Sequence, residues 1–181
     1  MTSPRLTRVA LPAALLAAGL ALTACGTADP GNAAVVDGEA ISTATLQEAT
    51  GQLSAAGATP ETTLEVLVVG HFARQAASRM GQGVSTDQAK QYLTRQLHIK
   101  DPKPATVEVI RRALATQVVR QQMQQDPKVG QQFMKQLKNA DITVNPRYGD
   151  YDPKTGNISQ QPPNWIKTSS KSSSGSTTSG Q

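Results

Sequence analysis

The chain has 181 residues, 38% of them hydrophobic and 17% charged, which is enough for one ordinary domain with tails and too little for a multidomain machine. Eighteen Lys and Arg against thirteen Asp and Glu give a net charge of +5, spread evenly beside only 3% aromatic residues, so no nucleic-acid partner is expected; that would call for a basic stripe with stacking aromatics. One cysteine and two histidines are too few for a zinc site and cannot supply an internal disulfide, so neither a metal nor any other cofactor is expected, and the apolar core must hold the fold.

Arg5 and Arg8 precede an apolar run of 14 residues from Val9 to Leu22, too short for the roughly 20 residues of a membrane-crossing helix and flanked like an export signal. Leu22-Thr23-Ala24-Cys25 closes it and resembles a bacterial lipobox, in which the cysteine thiol receives diacylglycerol. Residues 1–24 are therefore read as a lipoprotein signal peptide and Cys25 as the lipidation site. A plain secretory signal cut after Ala24 is the competing reading. Removal of the leader leaves sixteen basic residues against thirteen acidic, a net of +3. The mature protein is expected at the cell membrane, lipid-anchored on its extracytoplasmic face, with residues 25–33 as a flexible linker of small and polar residues.

Ala34 to Ile41 reads as a short strand, an Asp37-Gly38 turn and a return. Ser42 is placed to cap a first helix running to about Ala55, with Ile41 and Leu46 at the spacing of a hydrophobic staple. Thr59-Pro60-Glu61 opens a second helix to Met80, whose residues Leu64, Val68, Phe72, Ala76 and Met80 recur every four positions and predict the centre of the core. Gly81 and Gly83 stop it. Ser85 with Gln88 then forms a capping-box pattern for a third helix that turns Ala89, Tyr92, Leu93 and Leu97 inward.

After the break at Asp101 to Pro104, the residues Val107, Ile110, Leu114, Val118, Val119 and Met123 trace a long fourth helix. Asp126-Pro127 starts a fifth, bringing Phe133, Met134 and Leu137 to one face. Ile142 to Val144 is a strand whose natural partner is Val35-Val36 at the other end of the domain. The spacing thus predicts a mainly α domain over 34–145, about five helices closed by a small pairing of its N- and C-terminal strands. Residues 146–167 show neither helical nor strand periodicity and are read as an irregular extension. Residues 168–181, Ser, Thr and Gly with one Lys, are expected to be disordered.

Three stretches in this order resemble the SurA N-terminal domain family, shared with PrsA-type foldases. They are Val35 to Ser42 before a helix, Val68 to Ala77 with Gly81, Gly83 and Val84 to Ala89, and Ile142 to Gly149 with Tyr151 to Gly156. The resemblance covers residues 34–157. It implies a helical chaperone module whose first and last strands pair and whose groove holds extended segments of unfolded exported proteins. Relatives carry a parvulin prolyl-isomerase domain; here 36 residues follow Asn145, fewer than the roughly 50 of a small domain, so isomerase activity is not carried over.

The remaining chemistry is sparse. His71 falls on the apolar face of the second helix and His98 at an exposed helix end, where packing or solvation explains each better than catalysis. Glu39, Glu48, Glu61, Glu65 and Glu108 are scattered, and no Ser, His and carboxylate grouping suggests itself. The chain is read as a non-enzyme. Phe72, Met80, Met123, Phe133 and Met134 are the residues that could line an adaptable apolar groove for clients, although ordinary core packing accounts for them too, for Phe72 above all. The expected function is chaperone-like binding of unfolded secreted or envelope proteins. The alternative is a structural or adaptor lipoprotein that docks one dedicated folded partner.

Overall fold

A computed structural model describes residues 31–159 of the chain. The leader, Cys25 and the segments beyond Ser159, including the tail, lie outside the described residues. Strand β1 (Asn32–Val36) opens the fold and turns at Asp37-Gly38 into β2 (Glu39–Ser42). Both turn residues have positive φ, 47° and 82°, the conformation a tight right-twisted hairpin demands and the reason for Asp-Gly at this point. Ala33 is fully buried within β1, so the linker is shorter than the 25–33 read from composition.

The helix starts fall where the caps predict. Ser42 accepts from the Thr45 amide at 3.0 Å and opens α1 (Thr43–Leu53), which ends two residues before the expected Ala55 in a 3-10 turn, Ser54–Ala56. Thr59 and Thr62 cap α2 (Pro60–Arg79) reciprocally, with Pro60 at its first position. Ser85 accepts from the Gln88 amide at 3.1 Å while the Gln88 side chain accepts from the Ser85 amide at 2.7 Å, starting α3 (Thr86–Gln96). Helix α4 (Pro104–Gln125) has no side-chain cap of its own. Gln52 of α1 supplies one, accepting from the Lys103 amide at 2.9 Å and the Thr106 hydroxyl at 2.6 Å. Asp126 caps α5 (Pro127–Lys138).

Strand β3 (Ile142–Val144) returns to β1, with Val35 opposite Thr143 and Val36 opposite Ile142, giving an antiparallel sheet in the order β2-β1-β3. The Asp37 amide donates to the Asp141 carbonyl at 2.8 Å and the Asp37 carboxylate accepts from the Asp141 amide at 2.9 Å, so the hairpin turn itself holds the start of β3. The fold is thus mainly helical, with the first strand paired to the strand that follows the last helix.

One expectation is corrected. The stretch after Pro146 is not irregular throughout: β4 (Asp150–Asp152) and β5 (Asn157–Ser159) pair antiparallel, Tyr151 opposite Ile158. Tyr148 and Ile158 are buried in the core, so the packed unit extends to Ser159 instead of ending at 145. Strands of three residues, each presenting a single inward side chain between polar neighbours, offer too little alternation to read from sequence.

Helix α2 is the centre, packing most extensively on α4, and Leu64, Leu67, Val68, Phe72, Ala73 and Ala77 are its buried residues. Ala76 and Met80, at the end of the predicted stripe, are only half-buried, as are Leu114, Val118 and Met123 of α4. Close approach of these two helices is set at Gly70, where an added Cβ would overlap the Arg112 Cβ and lie 3.2 Å from the Arg112 backbone. Gly70→Val is therefore expected to destabilise the fold by about 2–3 kcal/mol, overpacking outweighing any relief of glycine's poor helix propensity. A urea midpoint equal to that of the parent would show that α2 and α4 have slack at this crossing.

Candidate functional site

Among the described residues, depressions of about 300 and 330 Å³ lie beside α1 and between α3 and α4, but most of the residues singled out from sequence fall at two other places, an apolar cleft and a buried charged cluster. The cleft arises because Asp126-Pro127 joins α4 to α5 with almost no loop, so the two helices lie against each other. Gly130 on α5 leaves room for Met123 of α4, whose Cε would be 3.2 Å from an added Cβ. Beyond that crossing Met123, Phe133 and Met134 face a common depression of about 160 Å³. Its floor is Val69, Val119 and Leu137, and one wall is the β4-β5 turn, Thr155 to Asn157. Glu65 and Arg120 stand in the lining and are shared with a neighbouring depression of about 210 Å³, so the groove continues between α2 and α4 toward Val66 and Ala113.

The residues named from sequence thus divide. Met123, Phe133 and Met134 converge on one cleft, and Met134, 37% exposed, is the one exposed large hydrophobic residue among those described. Met80 sits on the other side of α5, in a second depression of about 290 Å³ that also reaches Phe133 and is bridged by Arg79 donating to the Gln136 side-chain oxygen Oε1 at 3.0 Å. Phe72 belongs to neither. It is fully enclosed in the core, with its ring edge-on to that of His71, so it presents no surface to a client. The β4-β5 wall and the placement of Glu65 and Arg120 in the lining were not found by sequence reasoning. The only signal for the wall was the Asp152-Pro153-Lys154-Thr155-Gly156 turn, in which the Asp152 side chain accepts from the Lys154 amide at 2.8 Å and from the Thr155 hydroxyl at 3.0 Å.

The charged cluster lies at the junction of sheet, α2 and α4. Arg112, only 4% exposed, donates to Glu108 at 2.8 Å, to Glu39 at 2.8 Å and to the Leu67 carbonyl. Three acceptors for one guanidinium explain how a charge is tolerated in a helix face that is otherwise core. Arg111 adds a second bond to Glu108 at 3.0 Å. Burial, the largest influence on Glu39, pushes its carboxyl up, but the Arg112 hydrogen bond and charge, with His71 and Arg74, outweigh it and hold the carboxyl below its ordinary range.

His71 completes the cluster. The Gln75 amide nitrogen lies 2.8 Å from Nε2, which places the proton of the neutral ring on Nδ1. That atom is 3.3 Å from Glu39 in a geometry too bent for a hydrogen bond. Burial is the main cause that lowers the His71 pKa; Arg112 and Arg74 add to it, and Glu39 and Asp37 oppose them without prevailing. A histidine depressed in the folded state binds its proton more readily once unfolded, so it adds stability above its unfolded pKa of roughly 6.5 that is lost as pH falls through the folded value. The urea midpoint is accordingly expected to drop from pH 7.5 to pH 5.5, and His71→Gln to flatten that drop. An equally steep pH dependence in the variant would place the titrating group elsewhere.

Among the described residues no group of three His, Cys, Asp or Glu side chains is arranged to hold a metal ion, and no helix is long and apolar enough to cross a membrane. The cluster's charges are paired with one another, with His71 Nδ1 and Arg74 Nε left without a hydrogen bond, which suits bracing, whereas the cleft presents unpaired apolar surface, which suits binding. No protein-family model, curated protein or solved structure matches the chain.

Proposed function

We propose that the chain is an exported lipoprotein, held to the membrane through Cys25, that binds extended segments of unfolded secreted or envelope proteins without covalent chemistry. The observation that carries this reading is the cleft in which Met123, Phe133 and Met134 meet. Thioethers repack around differing apolar side chains, so such a surface tolerates many sequences where a rigid aromatic pocket would select one. The resemblance of residues 34–157 to the SurA N-terminal domain family, with β1 paired to β3 across a helical body, supports the same reading. The groove's continuation between α2 and α4 gives an extended segment more than one contact.

The test is light scattering of a chemically unfolded secreted protein diluted into buffer with the chain from Gly26 to Gln181. Suppressed aggregation at near-stoichiometric ratios is expected, against an inert helical protein of equal mass as control. Met134→Lys, at the exposed rim, is expected to weaken the suppression by about tenfold, since it puts a charge where roughly 1–2 kcal/mol of apolar contact is made. Absence of suppression by the parent chain would turn the reading toward a dedicated folded partner, detectable as a single stoichiometric crosslinked product.

A further inference from the structure

The cleft has an uncovered apolar lip and the described chain ends beside it. Asn157 lines the cleft and β5 stops at Ser159, two residues later. The sequence continues Gln160-Gln161-Pro162-Pro163-Asn164-Trp165-Ile166, which contains the only tryptophan of the chain. Trp165 lies six positions beyond Ser159, a reach of about 20 Å when extended, ample to double back along a three-residue strand. We infer that Trp165 of the chain's own C-terminal segment seats in the cleft of Met123, Phe133 and Met134 and covers it until a client displaces it.

The lining has the chemistry an indole takes. Met123 and Met134 offer thioethers, which pack favourably against aromatic rings, and Phe133 offers a second aromatic surface. Arg120 is exposed in the lining and makes no ion pair or hydrogen bond among the described residues, leaving its guanidinium free to stack on the indole face. A buried indole N–H needs an acceptor, and the Glu65 carboxylate and Asn157 stand in the same lining. Pro162 and Pro163 restrict the linking segment, so less conformational freedom is lost when the segment docks. Because the segment is covalently attached, its local concentration exceeds that of any free peptide of the same sequence. Occupation of the cleft needs only these contacts; its regulatory meaning, competition with clients, rests on the function proposed above.

The single tryptophan makes the inference directly measurable. In the full chain reconstituted in phosphatidylcholine vesicles, Trp165 emission is expected to be blue-shifted from that of free indole and shielded from acrylamide. Met134→Lys is expected to move the emission to the red and restore quenching, and Gln121→Lys, on an exposed position of α4, to leave both unchanged. Circular dichroism checks that the variants keep their helices, and Met134→Gln replaces the lysine variant should it not. A solvent-like emission in the parent, or emission unmoved by Met134→Lys, overturns the inference. So does a blue shift that fades on dilution, which assigns the site to a second copy, or one quenched by brominated lipid, which assigns the indole to the bilayer.

In the scattering assay Trp165→Ala is expected to lower the concentration needed for half-suppression by about threefold or more, because the competent open state is no longer rare. A solvent-exposed Trp165 with client binding intact removes the inference and leaves the proposed function standing. A seated Trp165 with no client binding by parent or Trp165→Ala does the reverse.

Discussion

Phe72→Ala is expected to cost about 3–5 kcal/mol, the range for deleting a fully enclosed aromatic ring and leaving a cavity that the surroundings cannot close. Phe72 is fully buried at the middle of α2, on the helix that touches α1, α4, α5 and both sheets. Small domains are stable by only about 5–15 kcal/mol, so the substitution removes a large part of the margin and is expected to lower the melting temperature by on the order of 10–20 °C. Calorimetry or urea titration reads it. The same variant separates core from binding surface: at a temperature where it remains folded, it is expected to suppress client aggregation as the parent does. A stable Phe72→Ala protein with selectively lost client binding would mean that the ring is reached from outside, contrary to its burial.

Cys25→Ser is expected to transfer the protein from the membrane pellet to the soluble fraction. Each buried methylene contributes about 0.8 kcal/mol, so a single acyl chain gives marginal, reversible attachment and the two or three chains of a bacterial lipoprotein give a permanent one. Serine has no thiol to receive them. Among the described residues no helix is long and apolar enough to span the bilayer and substitute for the lost anchor. Detergent-phase partitioning measures the change; a Cys25→Ser protein that stays in the detergent phase, or a parent found in the aqueous phase, refutes lipidation and restores the plain secretory reading.

The helical framework was legible because its signals are local. Ser42, Thr59, Ser85 and Asp126 each accept from the backbone of the first turn as their spacing suggests, and proline stands at the start of α2, α4 and α5. Pairing of β1 with β3 was legible from apolar runs at the two ends of a helical domain, a longer-range inference. Arg112 was not legible as a core residue. Its burial depends on Glu39, 73 positions away, and on the Leu67 carbonyl, 45 positions away, and no window of local sequence contains either. The cap of α4 was missed for the same reason, Gln52 being 51 positions from Lys103. Of the candidate site, the methionines and Phe133 were legible as helix-face residues, while the β4-β5 wall was not, because its strands are too short to show a period. Phe72 and Phe133 are both buried, but Phe72 is fully enclosed while Phe133, 8% exposed, borders the cleft; only the position of each on its helix relative to the neighbouring elements distinguishes the two.

The closure of the sheet has a kinetic consequence. Strand β1 is synthesised at the start of the domain and pairs on one side with β2, next to it in sequence, and on the other with β3, where the Asp37 to Asp141 contact spans 104 residues. Hairpins form locally and fast, but the second ladder waits for loop closure across the whole helical body. Until Ile142 to Val144 arrives, a growing chain displays an unpaired β1 edge carrying Ala34 and Val36, the kind of edge that recruits strands from other molecules. The strand that ends this period of vulnerability to aggregation is thus made only after all five helices, and a chain cut short before Ile142 would contain every helical segment and lack the strand that closes that edge.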